Sequence, residues 1–150
     1  MDFLERAVEI ATTSASGDGG PFGCVVVTSD GAVYEGRNEV VTRRDPTAHA
    51  EIQALRAAAA HHGHDLSGAT LYSSARPCPM CFVAIHWANV ERVEFAARSD
   101  QAAAAGFDDE WLARVTSGLE ASPVQFRYRP LPSDNAPFEA WAANPNRVDY

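Results

Sequence analysis

The sequence predicts a three-layer α/β/α domain built on a central mixed, five-stranded sheet. Three observations carry that expectation: an amphipathic helix at the start, an apolar hairpin directly after it, and helices that alternate with strands from there on. At 150 residues the chain is about the size of one compact domain. A hydrophobic share of 46% is ample for one buried core, so residues 1–150 read as a single domain.

Phe3, Leu4, Ala7, Val8, Ile10 and Ala11 recur at helical spacing, and Gly17-Asp18-Gly19-Gly20-Pro21 stops the helix they form. Cys24 to Thr28 is a short β-branched run, Ser29-Asp30-Gly31 turns the chain, and Ala32 to Gly36 returns as the second strand of a hairpin. Asn38 therefore stands near a strand end. A polar loop through Asp45-Pro46 leads into an alanine-rich helix, Ala48 to His61, bounded by Gly63 and Gly68. Thr70 to Ser73 is the third strand, broken by Arg76-Pro77. Pro79 suits the first position of the next helix, which runs through Phe82, Val83, Ile85 and Trp87 with Cys78 as its N-cap. Val90 to Ala96 makes a fourth strand and Ser99 to Ala105 a helix. Val124 to Tyr128 is the fifth strand, and Pro137 to Ala143 the last helix.

Twelve basic residues against twenty acidic ones give a formal charge of −8, and every one of the twelve is arginine. Such a surface repels polyanions. Arg43 with Arg44 and Arg127 with Arg129 are pairs rather than a basic stripe, read as solvated surface, and no nucleic-acid partner is expected. No apolar run approaches the roughly 18 residues of a membrane span, and Asp2, Glu5, Arg6 and Glu9 interrupt the first apolar stretch. Neither a membrane segment nor a secretory signal is expected, which suggests a cytoplasmic protein. Three cysteines, two of them in one Cys-x-x-Cys, are too few for a disulfide framework and favour metal or redox chemistry.

His49 and Glu51 stand two apart, followed later by Cys78 and Cys81. On the side of a helix, residues two apart point in nearly opposite directions, so His49 and Glu51 share a site only at the helix end. Cys78 and Cys81 lie at the cap and first turn of their own helix, so two helix N-termini can face one metal and favour thiolate over thiol. One histidine and two cysteines leave the fourth tetrahedral position of a zinc ion for water, the mark of a catalytic rather than a closed structural site. Two rival uses of Cys-x-x-Cys stay open at this point: half of a structural zinc site, or a redox dithiol. Cys24 is the only other cysteine and stands in an apolar strand, which suits a core residue better than a fourth ligand. His61, His62 and His64 lie at a helix exit and read as loop, and His86 reads as structural.

His49-Ala50-Glu51 followed by Pro77-Cys78-Pro79-Met80-Cys81 resembles the pattern of the zinc nucleobase deaminases. The resemblance covers nearly the whole chain: Pro21-Phe22-Gly23, Asn38, Asp45-Pro46-Thr47-Ala48, Ala84-Ile85 and Trp87-Ala88 follow in the order of the cytidine-deaminase-like fold. Ala105-Gly106-Phe107-Asp108-Asp109 and the end of the chain, Pro137-Phe138-Glu139-Ala140-Trp141 through Asp149-Tyr150, are similar to the small bacterial guanine deaminases.

The resemblance implies Zn2+ on His49, Cys78 and Cys81, Glu51 as general acid and base, and Asp109 as a second proton carrier. It implies substrate contacts from Phe22, Asn38, Ala50, Arg76, Trp87 and Tyr150. Read blindly, Phe22 is a core residue and Asp108-Asp109 a helix start. The reaction implied is hydrolytic deamination of a free nucleobase, guanine to xanthine plus ammonia. The partners implied are a small amino-heterocycle and a second copy of the chain, with residues 144–150 swapped onto the neighbour so that Tyr150 caps its site. Alternatives are another aminopurine, a triazine, a pterin, cytosine or a nucleoside as substrate, and, more remotely, a non-catalytic zinc domain. The chain departs from the family at Arg76, where a glutamate is common, and at Ala75, where a cysteine often stands. Arginine only donates hydrogen bonds and stays charged, so the local field is inverted.

Overall fold

The computed structural model describes residues 2–150. The first helix, α1 (Phe3–Ser16), is capped by Asp2, whose carboxylate accepts from the N–H groups of Leu4 at 2.9 Å and Glu5 at 3.3 Å. Two of the donors that a helix start leaves open are thereby taken up. The hairpin follows as β1 (Gly23–Val27) and β2 (Val33–Arg37), antiparallel with Val25 opposite Glu35. β1 pairs on its other side with β3 (Thr70–Ala75), also antiparallel, and β3 pairs in parallel with β4 (Arg92–Ala97). The sheet order is β2-β1-β3-β4. A parallel pair needs a crossover, and α4 (Pro79–Trp87) provides it.

Helix α1 lies on one face of the sheet, and α3 (Ala50–His62) with α4 lies on the other. Cys24, Val26, Ala54, Leu55, Leu71 and Ile85 form the core between the sheet and the second helical layer. Both helical layers sit unusually close to the strands because glycine stands at each contact. A Cβ on Gly23 would run into the Ala7 carbonyl and stand 2.6 Å from Ala11 N, and one on Gly36 would run into the Ala50 carbonyl and stand 2.5 Å from Ala54 N. The close seat on β2 is what fixes the start of α3, and with it His49.

The three-layer α/β architecture is as expected, but the sheet has four strands rather than five. Val124, Phe126 and Tyr128 alternate like a strand, yet they are 61%, 87% and 86% exposed and find no partner in their own chain. A strand is defined by its ladder, and alternation alone does not supply one. The free edge of β4 stays unpaired. Two short helices were read as loop or as bare helix start: α2 (Val40–Arg43) interrupts the polar segment before Asp45, and α6 (Asp109–Thr116) follows α5 (Ser99–Ala104). The last helix, α7 (Ala136–Ala143), lies where expected. Helix α3 opens at Ala50 rather than Ala48, which makes His49 its N-cap. Among the described residues no helix is long and apolar enough to cross a membrane.

Replacing Gly36 by alanine forces the Ala50 carbonyl away from β2, and overpacking of this kind costs about 1–3 kcal/mol or more. We expect Gly36→Ala to lower the urea midpoint accordingly and to reduce the bound zinc fraction. Gly63→Ala, where a Cβ meets no atom within 4 Å but φ is +81°, separates backbone strain from the clash and should leave zinc in place.

Candidate active site

Helices α3 and α4 start next to each other, and the residues that open them are the ones whose side chains converge. His49 caps α3 with extended backbone, φ −68° and ψ 156°, and Cys78 caps α4 in the same way, φ −65° and ψ 167°. Pro79 at the first helical position leaves no unsatisfied N–H there and pre-sets the turn that brings Cys81 back toward Cys78. His49 Nδ1 lies 3.6 Å from Cys78 Sγ and 3.6 Å from Cys81 Sγ, and the three donor atoms lie within 4.8 Å of one another.

That spacing fits zinc. Tetrahedral bonds to sulfur at about 2.3 Å and to nitrogen at about 2.05 Å put the two donors about 3.6 Å apart. The charges agree with the distances. Cys78 and Cys81 share a largely buried space with the Glu51 carboxylate, 6% exposed, and His49 is the ligand that can bring a positive charge to it. The hydrogen bond from Cys81, followed by that from His49, brings the Cys78 thiol down to about 4. Cys81, which gives that hydrogen bond and is buried, is pushed far up, and His49 is raised by its contact with Cys78. A soft cation relieves this crowding, and a Cys2His set with one position open suits zinc.

Glu51 sits in the first turn of α3, and Oε1 accepts from the Ser73 hydroxyl on β3 at 3.4 Å. Burial raises its pKa, the condition for a carboxyl group that must both take up and release a proton. Asp109 opens α6 and is half-buried, and burial, then the Cys78 charge, raises it as well.

These groups border a hollow of about 440 Å³, whose walls include Phe22, Asn38, His49, Glu51, Cys78 and Asp109. Phe22 meets Phe107 edge-on, ring centroids 4.9 Å apart at 86°. It also packs against the core, as a residue read without the resemblance would, while lining the hollow. Asn38 is buried at the end of β2; its carboxamide oxygen accepts from Val40 N–H at 3.3 Å, which leaves the amide NH2 without a partner among the described residues. Arg76 lines the same hollow. Ala50 does not: it is fully buried against Gly36. Trp87 and Tyr150 stand elsewhere in the chain, 5.9 Å apart in a second hollow between α3 and α4 that also includes His64.

Phe107, Val40 and Val41 line the hollow and carry no site role in the sequence reading. Phe107 follows Gly106, whose φ of +98° makes the bend before α6. An aromatic residue just after such a bend and just before a capping Asp was the available signal. Val40 and Val41 carried none, because their helix has only four residues.

The sequence profile of the cytidine and deoxycytidylate deaminase zinc-binding region matches residues 1–97. A guanine deaminase of Bacillus subtilis (strain 168) is 41% identical over 99% of this chain and 97% of its own length. The X-ray structure of guanine deaminase from Bacillus subtilis superposes with a TM-score of 0.91 at 43% identity, covering 99% of this chain and 96% of that one. A solved structure of guanine deaminase from Nitrosomonas europaea has a TM-score of 0.67 at 36% identity, over 77% of this chain and 70% of that one. Ligand geometry, the placement of Glu51 and sequence similarity agree, and the chain belongs to the zinc-binding family of cytidine and deoxycytidylate deaminases, as a zinc-dependent hydrolytic deaminase.

Proposed function

We propose that the protein deaminates guanine to xanthine and ammonia. The observation that carries this reading is the Glu51 carboxyl, buried at the end of α3 beside His49, Cys78 and Cys81 and facing a hollow of about 440 Å³. The full-length similarity to guanine deaminases supports the choice of base.

Zinc held by His49, Cys78 and Cys81 supplies Lewis acidity toward a nucleophilic water. Glu51 takes a proton from the attacking water and passes it to the ring nitrogen next to the amino-bearing carbon. It then transfers the second proton to the amine. The C–N bond breaks, a C=O bond takes its place, and ammonia leaves: one water is consumed and no other reactant is needed. Asp109, across the hollow on α6, is the second proton carrier, beside the amine as it is protonated and leaves as ammonia. Phe22 lies against the flat face of the base. The free amide NH2 of Asn38 donates to an acceptor on the ring.

The protein acts as a cytoplasmic homodimer in this reading. Beyond Thr116 every residue is exposed, among them Phe126, Tyr128 and Phe138, more apolar surface than a free tail normally carries. Within one chain Tyr150 lies against Trp87 and Trp141, so a capping role for residues 144–150 requires the tail of a second copy.

Ammonia release by the zinc-loaded protein is expected to be fastest with guanine in a panel of aminopurines, triazines, pterins, cytosine and nucleosides; activity elsewhere and none on guanine sinks the assignment. Glu51→Gln should keep zinc, measured by atomic absorption, while turnover drops by about 10²–10⁴-fold or more. Loss of the metal together with activity would contradict a proton-transfer role. Deleting residues 144–150 should lower guanine turnover with zinc content unchanged, and sedimentation should report two chains per particle; a fully active monomer would refute the shared site.

A further inference from the structure

A large hollow of about 860 Å³ lies beside the metal-bearing one, and Arg76 and Asp109 line both. Arg76 follows β3 at the turn into Pro77-Cys78, and its backbone N–H donates to the Ala97 carbonyl of β4 at 2.8 Å. The root of the side chain is thereby tied to the sheet, two residues from a metal ligand. Its guanidinium carbon lies 5.9 Å from the centroid of the Phe95 ring, in reach of the attraction between a cation and an aromatic face.

Arg98 and Arg114 border the same large hollow and are already engaged, with Asp100 at 3.0 Å and Glu120 at 2.9 Å. Arg76 has no carboxylate partner among the described residues. Arg76 itself lines the metal-bearing hollow, and its side chain donates no hydrogen bond to an acceptor among the described residues. Arg76 is exposed, and what distinguishes it from the other arginines of the large hollow is the aromatic ring beneath its guanidinium and the absence of a carboxylate partner among the described residues. Arginine carries no acceptor, so an oxo group reaching it gains a charge-assisted hydrogen bond, whereas an amino group there meets only donors.

Resting on the reading of the site as a guanine deaminase, we propose that Arg76 is a specificity-determining residue. It donates to the oxo group of a 2-amino-oxopurine and rejects the analogue in which an amino group replaces that oxygen. Phe95 is its positioning residue, the aromatic face on which the guanidinium rests. Selection by an unpaired donor is the kind a purely apolar wall cannot achieve, because an isosteric oxo-to-amino exchange leaves the shape of the base unchanged.

The test compares guanine with 2,6-diaminopurine, which differ at this edge. Binding is measured calorimetrically on zinc-loaded Glu51→Gln protein, and kcat and KM on the active enzyme. Wild-type contacts should favour guanine. Arg76→Met, which keeps the stem and removes the donors, should cut the preference about tenfold, mostly through Kd and KM rather than kcat. Arg76→Glu, which also removes the donors, should cut the preference at least as far as Arg76→Met, and Phe95→Leu should shift it in the same direction by a smaller factor. A preference unchanged within about twofold in both Arg76 variants, or a wild-type preference for 2,6-diaminopurine, overturns the inference while leaving guanine deamination standing. Failure of the wild-type protein to bind or turn over guanine overturns the functional reading and this inference with it.

Discussion

The site depends on one constraint: two helices must begin at the same place. A zinc site of this type takes ligands from His49 and Cys78, the caps of α3 and α4, and from Cys81 one turn further on. Cap residues have extended backbone and project off the helix end, which is why residues from two separate helices can meet without either helix bending. The sheet provides the alignment. β1 and β3 are neighbours, α3 is seated against β2 and β1, and α4 leaves from the end of β3, so the strand order brings the two helix starts together. Gly36 matters in that frame because its missing side chain sets the distance between β2 and α3.

The same arrangement concentrates negative charge. Two sulfurs, the Glu51 carboxylate and Asp109 lie around His49, which can become positive, while Arg76 stands at the edge of the hollow and the helix N-termini add partial positive charge from two directions. Burial first, and then the charge of Cys78, raises Glu51 and Asp109, while the Cys78 sulfur takes the low position. Groups with such separated affinities for a proton are suited to passing one between them.

Most of this was legible in the sequence, for identifiable reasons. Pro79 after Cys78 and the alanine-rich run after His49 announce helix starts, so the ligand geometry follows from local signals alone. The hairpin and its turn at Gly31 are equally local. What sequence reading misplaced is what depends on partners distant in the chain. Val124 to Tyr128 has strand-like alternation, but a ladder requires a neighbouring edge, and none is paired to it here. Phe107 finds Phe22 only because α5 and α6 fold back over the hollow, 85 positions along the chain from its partner, counting 107 minus 22. Arg76 was noticed as a departure from the family, yet its place between two hollows and above Phe95 is a matter of tertiary structure.

The neighbouring sulfurs also have a redox consequence. In a chain without its metal, the Cys78 sulfur is held low and would be the nucleophile of the pair, with Cys81 close at hand and holding its proton. An oxidant and a zinc ion therefore compete for the same two atoms. Bound zinc would shield both sulfurs from that oxidation.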